Sequence, residues 1–174
     1  MLLIAKKYFN KLNFLNAHII YFTCIFIALA ITVFIFYNVN LLDGIEVLGT
    51  FIQIALPCYV LVPILVKKDL QGAKQMLLLL TLVLIVTYTL KIALPFKRPY
   101  GGSMSFPSGH TVGAFCGAVF LGFRYGKKYL FISMLFAIFV AFSRVYSQNH
   151  WPTDVYASIL LCFLIGMFTV KKYS

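Results

Sequence analysis

Charge is what this sequence has least of: Asp, Glu, Lys and Arg together make up 11% of its 174 residues, against about 25% in soluble domains. Apolar residues reach 62% and the mean hydropathy is +0.95, which is more apolar surface than a soluble core of this size can hide. Cysteine is scarce as well. Cys24, Cys58, Cys116 and Cys162 all fall in apolar stretches without metal-ligand or redox spacing, so they read as small packing residues. Internal repeats and low-complexity linkers are absent. The first apolar run ends in Phe36-Tyr37-Asn38 without a small-residue cleavage site, so it is expected to be retained as a helix rather than removed as a signal peptide.

What is present is a series of apolar runs. A span of about 20 apolar residues crosses the hydrocarbon layer as a helix, with its backbone hydrogen bonds satisfied internally. Six such spans are expected, at about 19–37, 47–66, 76–95, 109–124, 129–146 and 153–170, which makes the fold an all-α polytopic membrane bundle. The domain reading is an interfacial amphipathic helix over 1–17 followed by one membrane domain over 18–174. In the first segment Ile4, Ala5, Tyr8, Phe9, Leu12 and Leu15 share one face, and Lys7, Asn10 and Lys11 the other. Pro57 and Pro63 interrupt the second span and imply a packing kink. His18, alone at the head of the first span, carries no expected function. Asp43 and Glu46 read as solvated residues of the loop after that span.

The net charge of +11 invites a nucleic-acid reading, but its distribution points to a membrane. If six spans alternate, Lys6, Lys7, Lys11, Lys67, Lys68, Lys74, Arg124, Lys127, Lys128, Lys171 and Lys172 all fall on one side. These are eleven of the fifteen cations, and they mark the cytoplasmic face, with both termini on it.

The four cations left over, Lys91, Lys97, Arg98 and Arg144, lie at the outer ends of the third and fifth spans, in the same layer as Ser108, His110, Ser143, His150 and Asp154. Ionisable groups at membrane depth are functional candidates. Two histidines, one aspartate and several fixed cations repel a divalent metal and suit a dianion, and arginine forks match phosphate oxygens. Pro107-Ser108-Gly109-His110 enters a helix, where free backbone N–H groups bind anions. His150 and Asp154, four residues apart, share a helical face behind Pro152, so the carboxylate can fix the imidazole tautomer and leave the other nitrogen free to attack. His110, from another helix, is placed to protonate a departing oxygen.

Lys91 with Arg98-Pro99, then Pro107-Ser108-Gly109-His110, then Ser143-Arg144 with His150 and Asp154, resembles the three-part signature of the type 2 phosphatidic acid phosphatase family, the lipid phosphate phosphatases. The resemblance implies that His150 accepts the phosphoryl group, that Asp154 orients it and that His110 is the leaving-group acid. It also implies that Lys91, Arg98, Ser108, Gly109 and Arg144 hold phosphate oxygens, and that no metal or other cofactor is required. Lys97 is left to a lipid headgroup and Ser143 to loop support. The implied partner is a phosphorylated lipid of the outer leaflet of a bacterial inner membrane, with neither nucleic acid nor an obligate protein partner. The short Tyr100–Phe106 connection resembles compact lipid A phosphatases and favours a lipid A phosphate, with undecaprenyl diphosphate or a phosphatidylglycerophosphate-like lipid as alternatives. A lipid-to-lipid phosphotransferase and a non-catalytic carrier of an anionic lipid also stay open.

Overall fold

The computed structural model describes residues 41–173, and the segments expected at 1–17 and 19–37, with His18 and Cys24, lie outside them. Five α-helices follow one another: α1 Leu41–Lys67, α2 Leu70–Ala93, α3 Gly109–Tyr125, α4 Lys127–Tyr146 and α5 Pro152–Thr169. Connections of one or two residues reverse the chain between α1 and α2 and between α3 and α4. Among the described residues only the 94–108 and 147–151 connections have room for irregular structure, and both lie at the same end of the bundle.

The expectation of six membrane spans is corrected. Among the described residues four helices are long and apolar enough to cross a membrane: Asp43–Lys67, Leu70–Ala93, Lys127–Tyr146 and Pro152–Thr169. The apolar run at 109–124 does form a helix, but α3 has 17 residues. Its rise of about 25 Å falls short of the roughly 30 Å hydrocarbon layer. Its surroundings also differ, for Val112, Ala114, Phe115, Cys116, Ala118, Val119, Phe120 and Leu121 are all buried. A helix apolar on every face is the inner strut of a bundle, and α3 packs against all four of the other described helices. Small residues permit this. A Cβ at Gly117 would lie 3.0 Å from the backbone at Leu56 and Pro57, so α1 meets α3 backbone to backbone where proline interrupts α1.

Side-chain caps, not the rise of hydropathy, set the starts of α2 and α3. Asp69 accepts the Gly72 N–H at 2.8 Å and begins α2 six residues before the expected boundary. The helix α1 runs from Leu41, so Asp43 and Glu46 belong to a helix and not to a loop.

At the end of the bundle away from the two longer connections, Asp69 takes a forked pair of hydrogen bonds from Arg124, Nε at 2.8 Å and Nη2 at 2.6 Å, and a third from the Tyr125 hydroxyl at 2.9 Å. Arg124 Nη1 donates to the Lys171 carbonyl at 2.8 Å, and Lys171 N–H donates to Gln75 Oε1 at 3.0 Å. Arg124 is therefore a buried clasp that holds the C-terminal tail to α2, and not a solvated flanking charge. Burial alone would raise the Asp69 carboxyl, but the bonds from Arg124, the Gly72 N–H and Tyr125 outweigh it and hold the group below the usual carboxylate range. A carboxylate so depressed contributes stability that is fully present above its unfolded pKa and lost as pH falls through its folded one. Asp69→Asn strands a buried guanidinium and should cost about 3–5 kcal/mol at neutral pH. Melting in detergent should expose that deficit at pH 7 and a smaller one below about pH 4, where the carboxyl of the unfolded chain begins to protonate. An equal deficit at both would mean that the charge of Asp69 is not what stabilises.

Candidate active site

The end of α2, the 94–108 connection, the start of α3, the end of α4 and the start of α5 converge at the other end of the bundle. Three seams hold them. In the first, Lys91 in the last turn of α2 donates from Nζ to the Met104 carbonyl at 2.8 Å, and the Ser105 N–H donates to the Phe96 carbonyl at 2.9 Å. In the second, the Ser108 N–H donates to the Asp154 carbonyl at 3.3 Å, while the Ser158 hydroxyl reaches the Ser108 carbonyl at 3.0 Å and the Asp154 carbonyl at 2.7 Å. In the third, the N–H groups of Asn149 and His150 donate to the Arg144 carbonyl at 3.0 and 3.2 Å. The three sequence blocks are thus tied to one another through backbone.

Within this frame Ser108 caps α3. Its Oγ accepts from the Thr111 N–H at 3.4 Å and lies 3.0 Å from Thr111 Oγ1. With both acceptor directions filled by Thr111, the Ser108 proton is free to be donated elsewhere. A Cβ at Gly109 would meet a single heavy atom within 4 Å, Lys91 Cε at 3.9 Å, so the helix N-terminus opens toward that lysine. Arg98 anchors a tight turn, donating from Nε to the Ser103 carbonyl at 3.2 Å and from Nη1 to the Tyr100 hydroxyl at 3.3 Å. His110, in the first turn of α3, lies within the electrostatic reach of Lys91, Arg98, Arg144 and His150. Four cationic or imidazole groups from separate segments therefore surround it.

Arg144 is 1% exposed, an expensive placement for a cation, and α1 is what makes it tenable. Nη2 donates to the Glu46 carbonyl and lies 3.4 Å from Thr50 Oγ1, Nη1 sits 3.7 Å from Glu46 Oε1, and Nε donates to Ser143 Oγ at 3.1 Å. Glu46 is thus corrected from a solvated loop residue to a partner of a site arginine. Ser143, fully buried, donates to the Val140 carbonyl at 2.8 Å and supports Arg144 from behind. Gly49 leaves the room: a Cβ there would lie 2.0 Å from Ser143 Oγ and 2.7 Å from Arg144 Nη2. Gly49→Ala should therefore displace the guanidinium and cost about 10²-fold in kcat/KM, the scale of a 1 Å misplacement, in protein that still elutes as a folded species. Full activity would mean that Arg144 is not needed where it stands.

His150 and Asp154 are both 2% exposed. His150 Nδ1 faces Asp154 Oδ2 at 3.4 Å, within ion-pair range but without the alignment of a hydrogen bond, so Nδ1 is a buried polar atom with no bonded partner. That oxygen is occupied, since it accepts the Trp151 N–H at 3.0 Å and the Ser105 hydroxyl. Burial lowers the His150 pKa to about 4, Lys91 and Arg98 push the same way, and Asp154 opposes them. The imidazole is therefore neutral at pH 7, the form with a lone pair to offer. Lys97 stands apart: its side chain is exposed and its carbonyl accepts Trp151 Nε1–H at 2.9 Å. Among the described residues no group of three or more His, Cys, Asp or Glu is placed to hold a metal ion.

Ser105, Ser158, Glu46, Gly49 and Thr50 were not foreseen as parts of the site. For the last three a signal existed, because Glu46, Gly49, Thr50 and Gln53 form a polar or small stripe at helical spacing inside an apolar run.

The profile of the PAP2 superfamily matches residues 21–174, nearly the whole chain and all three blocks of the site. This chain belongs to the PAP2 superfamily. It is similar to the Lipid A 1-phosphatase of Helicobacter pylori, 29% identical over 136 residues that span 71% of this chain and 66% of that protein. It is also similar to the Undecaprenyl-diphosphatase BcrC of Bacillus subtilis, 34% identical over 68 residues that span 39% of this chain and 35% of that one. The match thus covers only about a third of the Bacillus protein's length. The crystal structure of Aquifex aeolicus LpxE superimposes with a TM-score of 0.61 over 81% of this chain and 93% of that one, at 24% identity, a likeness of fold. Relatives carrying two different substrate names thus share a PAP2 frame with this chain.

Proposed function

We propose that this PAP2 protein is a metal-independent lipid phosphatase whose nucleophile is His150. The observation that carries the reading is the convergence of His150, with Asp154 at its Nδ1, and His110 from a separate helix in a layer charged by Lys91, Arg98 and Arg144. In the first step Nε2 of His150 forms a bond to phosphorus as the phosphorus–oxygen bond to the lipid breaks. The departing oxygen takes a proton from His110, which enters the step as imidazolium once the bound phosphate dianion offsets the burial and the neighbouring cations that keep it neutral in the free site. In the second step His110 accepts a proton from water, the resulting hydroxide attacks phosphorus, and the phosphorus–nitrogen bond breaks to return His150. Lys91, the Arg98 and Arg144 guanidinium groups, the Ser108 hydroxyl and the free N–H groups at Gly109 neutralise the phosphoryl oxygens, where charge grows in the transition state.

A lipid A phosphate is the substrate we favour, because the relative of that name aligns over 71% of this chain whereas the Undecaprenyl-diphosphatase BcrC match covers 39%. The site faces away from the cytoplasm in this reading, since Lys67, Lys68, Lys74, Lys127, Lys128, Lys171 and Lys172 lie toward the opposite end of the bundle. Purified protein with chelator present should release inorganic phosphate from phosphorylated lipids, fastest from a lipid A phosphate. Phosphate appearing instead on an added acceptor lipid would make it a phosphotransferase, and no turnover at all would leave a carrier. Lys97→Cys, in a chain stripped of native cysteines, should react with a membrane-impermeant thiol reagent on intact cells; labelling only after lysis would reverse the orientation.

A further inference from the structure

Ser105 lies in the connection between α2 and α3, yet it is fully buried while its neighbour Met104 is 47% exposed. Its N–H is held by the Phe96 carbonyl at 2.9 Å, so its hydroxyl has a fixed aim. That hydroxyl donates to Asp154 Oδ2, the same oxygen that accepts the Trp151 N–H and faces His150 Nδ1. We propose that Ser105 is a positioning residue for phosphoryl transfer, acting through the Asp154 carboxylate on His150; the inference rests on the reading of His150 as nucleophile.

The physical argument is one of competition. A carboxylate that turned freely would direct Oδ2 into a linear bond with Nδ1–H before substrate arrives. Ser105 and Trp151, fixed on separate segments, hold that oxygen 3.4 Å from Nδ1 and off the line of such a bond. The pair can then close as positive charge develops on the imidazole during attack, so the interaction strengthens in the transition state more than in the ground state. Without the hydroxyl, Asp154 loses one donor and binds the His150 proton more tightly in the free enzyme. The charged and titratable groups that face His150 are Asp154 from α5, Lys91 from α2, Arg98 from the connection and His110 from α3, and substitution at Ser105 changes none of them.

The experiment compares wild type, Ser105→Ala, Asp154→Asn and the double variant in detergent, each checked for folding by size exclusion. Ser105→Ala should lower kcat about 10-fold with little change in KM. The acid limb of its kcat/KM profile should move up by about half a pH unit, because the relieved carboxylate favours imidazolium. Substrate ionisation is common to both profiles and cancels. In the Asp154→Asn background the same serine change should cost nothing further, since its target charge is already gone. Should Ser105→Ala fail to fold, Ser105→Cys, nearly isosteric and a weaker donor, carries the comparison with a smaller loss and a smaller shift. Equal losses with and without the Asp154 carboxylate, or a slower enzyme with an unmoved acid limb, would overturn the assignment. Turnover by His150→Ala would instead remove the nucleophile reading on which it rests, so the two failures are told apart.

Discussion

His150→Ala is expected to abolish turnover on every phosphorylated lipid, a loss of at least about 10⁴-fold, because in the proposed reaction the covalent intermediate forms on its Nε2. The imidazole sits at the meeting point of the three sequence blocks, with its backbone N–H on the Arg144 carbonyl and Asp154 behind its ring. Its neutral form prevails at pH 7, so the attacking lone pair exists without a prior deprotonation. Alanine removes that lone pair and leaves Lys91, Arg98, Ser108 and Arg144 to bind phosphate as before. Substrate binding should therefore survive where chemistry does not. Rapid-quench measurement should find no acid-labile phosphoenzyme in the variant, while lipid binding stays within a few-fold of wild type. A variant that still released phosphate at a tenth of the normal rate would exclude His150 as the nucleophile.

The charged layer was legible in the sequence for a physical reason. Cations and histidines are costly at membrane depth, so their positions stand out against an apolar background. The backbone seams then bring Lys91, Arg98, Ser108, Gly109, His110, Arg144, His150 and Asp154 to one end of the bundle. What hydropathy could not separate is lipid from protein as the surroundings of an apolar run. The residues of α3 read like those of a span, yet neighbouring helices wrap it. Nor did the charge count tell Arg124, buried against Asp69, from the exposed lysines beside it. Supporting groups were harder still. A serine in a loop, such as Ser105, gives neither periodicity nor charge to notice, and Glu46 was hidden by placing a helix start six residues too late. In each case the missing information was which element packs against which.

In the proposed reaction the two histidines have different jobs, and substrates with different leaving groups should separate them. His110 forms no covalent bond in the proposed reaction. Its contribution is a proton for the departing oxygen, and general acid catalysis of that kind supplies roughly 10²–10⁴ in rate. That help matters only where the leaving oxygen is a poor anion. A lipid alcohol is such a group, whereas nitrophenolate leaves readily without a proton. His110→Ala should therefore lose about 10²–10⁴-fold on a lipid phosphate monoester, and markedly less on a nitrophenyl phosphate. Both substrates must be compared at the step that forms the phosphoenzyme, because His110 also draws the proton from water in the second step and its loss there slows either substrate alike. Rapid quench gives that step directly, as the burst of phosphoenzyme before steady state. Equal losses in burst rate on the two substrates would take the acid role from His110 and leave it as one more group, beside Lys91, Arg98 and Arg144, that holds the phosphate.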